Sequence, residues 1–145
     1  MKLFNSRFEL ALRVILILKN SKKITKLKIL ALDLMSTYGK ACKIANENLH
    51  GNNQFDISEI AIRKKLIDKT IAYLRLCELA EELYDSNLGY TYRLTNNGRK
   101  IIDQVNDDYA ERYQGTLRKA IDLIGKRDDE QLFSILSKQF SMKVG

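Results

Sequence analysis

The chain has 145 residues, 45% of them apolar and 30% charged, with seven glycines and no proline. That is one domain by length, able to bury a core without a disulfide or metal staple, and its composition excludes a disordered chain and favours a largely helical one. The formal charge of +7 sits in the N-terminal third: residues 1–56 hold ten lysines and arginines against four acids, while 57–83 hold five of each and 84–145 ten against nine.

The first predicted element is a helix over Ser6–Lys19, capped by Asn5 or Ser6, with Glu9 in the first turn where a negative charge suits the helix dipole. Phe8, Leu10, Ala11, Leu12, Val14, Ile15, Leu16, Ile17 and Leu18 leave it almost no polar face. Such a helix is either the centre of the domain or is covered on one side by another chain. The apolar run Phe8–Leu18 carries Glu9 and Arg13 and is far shorter than the roughly 20 residues a membrane span requires. With no secretory signal in view, a cytoplasmic protein that makes no membrane contact is expected.

A polar break, Lys19-Asn20-Ser21-Lys22-Lys23, precedes a second helix from about Thr25 to Tyr38, with Gly39 placed to end it. Leu27, Leu30, Ala31, Leu34 and Met35 recur along it at helical spacing. Lys19, Lys22, Lys23, Lys26 and Lys28 cluster at its start. Lys19, Lys22, Lys23 and Lys26 are the candidate nucleic-acid contacts, since lysines attract phosphate irrespective of sequence. The alternative is a solvated face, because no arginine fork is interleaved to read bases.

Residues 40–55 form a long irregular stretch with a Gly51-Asn52-Asn53 turn signal and the single histidine, His50. The two cysteines, Cys42 and Cys77, form no C-x-x-C pair. With one histidine they fall short of a zinc site and read as buried free thiols in a reducing compartment.

Ile57–Leu76 is predicted as one continuous helix capped by Asp56 or Ser58. Its apolar side is Ile60, Leu66, Ile67, Ile71, Leu74 and Leu76, and its polar side Arg63, Lys64, Lys65, Lys69 and Arg75. A hairpin follows: a strand at Leu79–Leu83, a turn at Tyr84–Gly89 and a strand at Tyr90–Thr95. In the second strand Tyr90, Tyr92 and Leu94 share one face and Thr91, Arg93 and Thr95 the other. Thr95 is placed to cap a helix carrying Ile101, Ile102 and Val105. Helix, hairpin, helix in about forty residues is the plan of a winged-helix domain. The expected fold is thus mainly α with one β-hairpin: a winged-helix core over about 6–106 and a C-terminal helical extension over about 107–141.

The extension starts at Asn106-Asp107-Asp108. Tyr109, Tyr113, Leu117, Ile121 and Ile124 make an amphipathic helix that Gly125 stops. Asp128-Asp129 opens a last helix with Leu132, Phe133, Ile135, Leu136 and Phe140 on its apolar side. Either these helices pad the domain or they dock a partner. Tyr109, Tyr113, Leu132, Phe133, Leu136 and Phe140 are the candidate partner contacts.

Tyr90-Thr91-Tyr92-Arg93-Leu94-Thr95-Asn96-Asn97-Gly98-Arg99-Lys100 resembles the wing and following helix of many winged-helix proteins. Phe4-Asn5-Ser6-Arg7-Phe8-Glu9-Leu10-Ala11-Leu12-Arg13 resembles the opening of the middle-component proteins of ABC-three-component systems, which include Lamassu-type anti-phage defence. The likeness continues in Leu30-Ala31-Leu32-Asp33-Leu34, Leu49-His50, Arg63-Lys64-Lys65-Leu66-Ile67 and Gly89-Tyr90-Thr91-Tyr92. Two features differ: the long loop lacks prolines, and Cys77-Glu78 stands where those proteins commonly have a turn such as Arg-Gly. The resemblance implies a non-enzymatic subunit that links an SMC/Rad50-like ABC ATPase to a separate effector, often a nuclease. The residues agree in lacking a phosphate loop, a nucleophile elbow or a metal-ligand cluster, so neither catalysis nor a cofactor is expected. The rival reading is a homodimeric winged-helix transcription regulator with basic residues at the front of the helix before the wing.

Overall fold

A computed structural model describes residues 7–37, 57–124 and 127–136. Six helices and one hairpin follow in the order α1 (Arg7–Lys19), α2 (Lys26–Thr37), α3 (Ile57–Leu76), β1 (Ala80–Asp85), β2 (Gly89–Leu94), α4 (Asn96–Asp103), α5 (Asp108–Ile124) and α6 (Asp129–Leu136). The fold is mainly helical with one two-stranded antiparallel sheet, consistent with a winged-helix-like plan. The expected caps at Asn5, Ser6 and Asp56, the stops at Gly39 and Gly125, the 40–55 loop with His50, Cys42 and Phe140 lie outside the described residues.

α1 is the centre of the molecule. α2, α3, α4, α5 and β2 all pack on it, and Leu10, Leu12, Val14, Ile15, Leu16, Ile17 and Leu18 are buried. A helix apolar nearly all round demands neighbours nearly all round, and here the chain supplies them itself. Phe8, at its start, stays exposed. α2 is buried from Ile29 through Thr37. It is covered by α1, α3, α5 and α6, so the C-terminal helices belong to the core and are not an appendage beside it.

Between α1 and α2 the chain is briefly extended. Ile24 and Tyr92 exchange two backbone hydrogen bonds, of 3.1 and 2.9 Å, and so lay a one-residue third strand along β2. β1 runs two residues further than its sequence suggests. Asp85 accepts from the Asn87 and Leu88 amides at 2.8 and 2.9 Å, which closes the turn within Ser86–Leu88. The bond from Lys23, helped by those two amides, draws the Asp85 carboxyl down to about 2.

The side assignment along α3 needs two corrections. Arg63 is buried, not on the polar side, because Asp33 draws its guanidinium inward. Leu76 is 82% exposed, because it lies past the last buried residue of the helix, Leu74. Cys77, expected to be buried, is exposed for the same reason. Tyr90 shares its face with Tyr92 and Leu94 but is exposed, because the hairpin tip extends beyond the core, where Tyr90 meets Tyr84 edge to face at 5.4 Å.

Both ends of the α3–hairpin–α4 segment are fixed by local bonds. At the end of α3 the Leu79 amide donates to the Leu74 carbonyl at 2.8 Å and the Glu78 amide to the Arg75 carbonyl at 3.0 Å, the Schellman pattern, with Glu78 in the left-handed region at φ 61°. Thr95 caps α4 as expected, accepting from the Gly98 amide at 3.1 Å. Gly98 is required there: a Cβ would stand 2.2 Å from the Leu79 carbonyl oxygen and 2.9 Å from Leu94.

Candidate functional site

Two features carry the chemistry of this chain: a buried ionic cluster where four helices meet, and the polar and aromatic faces around it. The cluster centres on Asp33 of α2, fully enclosed. Its Oδ1 accepts from Arg13 Nε at 2.7 Å and from the Tyr113 hydroxyl at 2.7 Å. Its Oδ2 accepts from Arg63 Nη1 at 2.9 Å and Arg13 Nη2 at 3.3 Å. Arg63 Nη1 also donates to Thr37 Oγ1 at 3.1 Å, and Arg13 Nη1 to the Tyr109 hydroxyl at 3.3 Å. One carboxylate thereby ties α1, α2, α3 and α5 together.

Burial alone would push the Asp33 carboxyl up. The charges of Arg13 and Arg63, with the bonds from Arg13 and Tyr113, outweigh it and hold the group well below the usual carboxylate range. Arg13 shows the mirror image: burial favours its neutral form, and Asp33 more than reverses that. Burial and the adjacent carboxylate push the Tyr113 hydroxyl well above its ordinary value. Asp33 is therefore ionised and bonded four times over. It has no proton to give near neutral pH, and it acts as a fastening between helices.

Sequence reading missed this cluster. In the sequence Arg13 interrupts an apolar run, and helical periodicity assigns Arg63 to solvent. The available signal was an ionisable residue of opposite sign in the middle of each of the two most apolar helices, a pattern that buried helices show only when the charges meet.

The candidate partner contacts divide. Tyr113 and Leu132 are enclosed by the chain itself, which corrects their expected place at a docking surface: Tyr113 is drawn in by Asp33, and Leu132 joins the core where α6 packs on α2. Tyr109 is half-buried, stacked on Tyr113 at 6.4 Å and bonded to Arg13. α6 is fixed by a reciprocal cap between Asp128 and Gln131 and by a 2.8 Å bond from Thr25 to Asp129. Phe133 then projects outward, 64% exposed. Leu136 closes α6, and its side chain, like Phe140, lies outside the described residues.

The four candidate nucleic-acid lysines also divide. Lys23 pairs with Asp85. Lys26 pairs with Asp68 at 3.4 Å and lies over the Tyr92 ring at 5.6 Å. Lys19 and Lys22 are exposed with no ion pair among the described residues. On α3, Lys64, Lys65 and Lys69 are likewise exposed and without ion pairs among the described residues. Arg93 is held to Glu81 at 2.5 Å. Among the described residues no group of three or more His, Cys, Asp or Glu could hold a metal ion, and no helix is long and apolar enough to cross a membrane.

Comparison with protein families matches residues 3–144 to the family described as ABC-three component (ABC-3C) system Middle Component 2. No curated protein and no solved structure matches the chain.

Proposed function

We propose that this chain, which belongs to the Middle Component 2 family of ABC-three-component systems, is a non-catalytic winged-helix subunit linking an SMC-like ABC ATPase to a separate effector, a nuclease in the simplest case. The setting is a cytoplasmic anti-phage defence complex of Lamassu type. The observation that carries this reading is the extent of the family match, which spans all the described elements and not the hairpin alone. The chemistry of the cluster supports it: the buried Asp33 carboxylate is committed to holding helices together. The outer surface supports it too. Phe133 on α6 and Tyr84, Leu88 and Tyr90 at the hairpin tip are exposed apolar groups, of the kind that partner proteins cover. Co-expression with an ABC ATPase and an effector of the same three-component system, followed by purification through a tag on this chain, tests the reading. A stoichiometric complex supports it, and recovery of this chain alone overturns it.

A homodimeric DNA-binding regulator is the second reading. It is favoured by the exposed Lys64, Lys65 and Lys69 on the helix that precedes the hairpin, the helix a winged-helix reader lays in the groove. In the subunit reading, nucleic-acid binding is weak, independent of sequence and salt-sensitive. Lys19 and Lys22 contribute more to it than Lys23 and Lys26, whose charges are already met by acids. A strong preference for one operator over random duplex at physiological salt decides for the regulator.

A further inference from the structure

The two edges of the hairpin are finished differently. On β2, Tyr92 exchanges both its backbone hydrogen bonds with Ile24, so its amide and carbonyl point away from β1. Glu82 stands opposite Tyr92 in the register. Its own amide and carbonyl must therefore point the other way, off the outer edge of β1. Strand alternation puts Ala80 and Tyr84 in the same outward set. The Thr95 amide bond to the Leu79 carbonyl, 3.0 Å, fixes the same phase from the other end. Among the described residues no hydrogen bond reaches the outward amides or carbonyls of Glu82 and Tyr84.

We propose that the outer edge of β1 docks an extended, basic segment of a partner protein by strand addition. Donors and acceptors repeating at every second residue are matched by another extended chain. A second copy fits poorly. The two-fold antiparallel register that uses the outward groups of Ala80, Glu82 and Tyr84 together centres on Glu82 facing Glu82, with like charges directly opposed. A strand carrying lysine or arginine fits well. Glu78, just before the edge, has no ion pair among the described residues, and Glu82 uses only Oε2 for Tyr92 and Arg75, while Glu81 is already held by Arg93. At the tip the Tyr84 and Tyr90 rings, 71% and 59% exposed, offer an apolar platform for one further side chain.

This inference rests on the subunit reading, and its test keeps the two apart. Residue-resolved amide exchange is measured on the full chain, alone and in complex with the co-expressed ATPase and effector. The Glu82 and Tyr84 amides are expected to exchange freely in the isolated chain and to slow by about tenfold or more in the complex. Those of Glu81 and Leu83, bonded to β2, are protected in both states. Glu82→Pro removes an outward amide without touching a β1–β2 bond. It should weaken the complex by about tenfold relative to Glu82→Ala, the worth of one lost hydrogen bond. A complex in which Glu82 and Tyr84 exchange as fast as in the free chain overturns strand addition and leaves the subunit reading standing. Protection of both amides in the isolated chain also overturns it, since the edge would already be covered. Failure to form any complex overturns the subunit reading, and this inference with it.

Discussion

Neutralising Asp33 would leave Arg13 and Arg63 in the core without the carboxylate they share. Breaking a buried ion pair by removing one partner typically costs about 3–5 kcal/mol, and Asp33→Asn is expected to lose that much in urea unfolding. Tyr113→Phe removes a single bond to the ionised carboxylate and should cost less, about 1.5–3 kcal/mol. The pH dependence follows from the directions of the shifts. The folded-state value of Asp33 is depressed, so its contribution is fully present above the unfolded carboxyl value of about 3.9 and is lost as pH falls through the folded one. The value of Tyr113 is raised, so its contribution is present below about 10 and is lost as pH rises. Urea midpoints against pH should fall on the acid side less steeply in Asp33→Asn than in the parent. Equal slopes would mean that Asp33 is not ionised in the fold.

At the scale of elements, the turn from α3 into β1 and the start of α4 meet at one carbonyl, that of Leu79. Glu78 holds the left-handed position that glycine adopts without a Cβ penalty, and its carbonyl, not its side chain, receives the Thr95 hydroxyl. Glu78→Gly should therefore stabilise by about 1 kcal/mol, raising the thermal midpoint by about 3 °C. Gly98→Ala should act the other way and cost about 1–3 kcal/mol, because the new methyl meets backbone that cannot swing aside. Much of this region was legible in the sequence, because its determinants are local. The Thr95 cap, the hairpin and the unbroken α3 each follow from residues a few positions apart. The difference at Cys77-Glu78 marks a turn where, among the described residues, a non-glycine residue is held at positive φ. What escaped were contacts between distant segments. Ile24 is a single residue with no pattern to announce a strand. Arg63 sits where helical periodicity assigns it to solvent, and partners on α2 far along the chain, Asp33 and Thr37, draw it into the core.

At the scale of the molecule, α5 is spoken for by its own chain, since its buried residues pack on α1 and α2. That removes Tyr113 from any docking surface, the packing of α6 on α2 removes Leu132, and Phe133 is left as the described α6 residue best placed to meet a partner. Phe133→Asp should leave circular dichroism and the urea midpoint close to the parent's while weakening capture of the ATPase or effector by tenfold or more. Unchanged capture would move the docking surface away from α6. The distribution of charge bears on the same question. The excess positive charge lies at the N-terminal end, but two of its four candidate lysines are held by Asp85 and Asp68. The decisive measurement is the mass, by light scattering, of the species recovered when this chain is purified with the co-expressed ATPase and effector. A single complex containing all three is the predicted result. A homodimer of this chain alone, binding one operator in preference to random duplex, would contradict it.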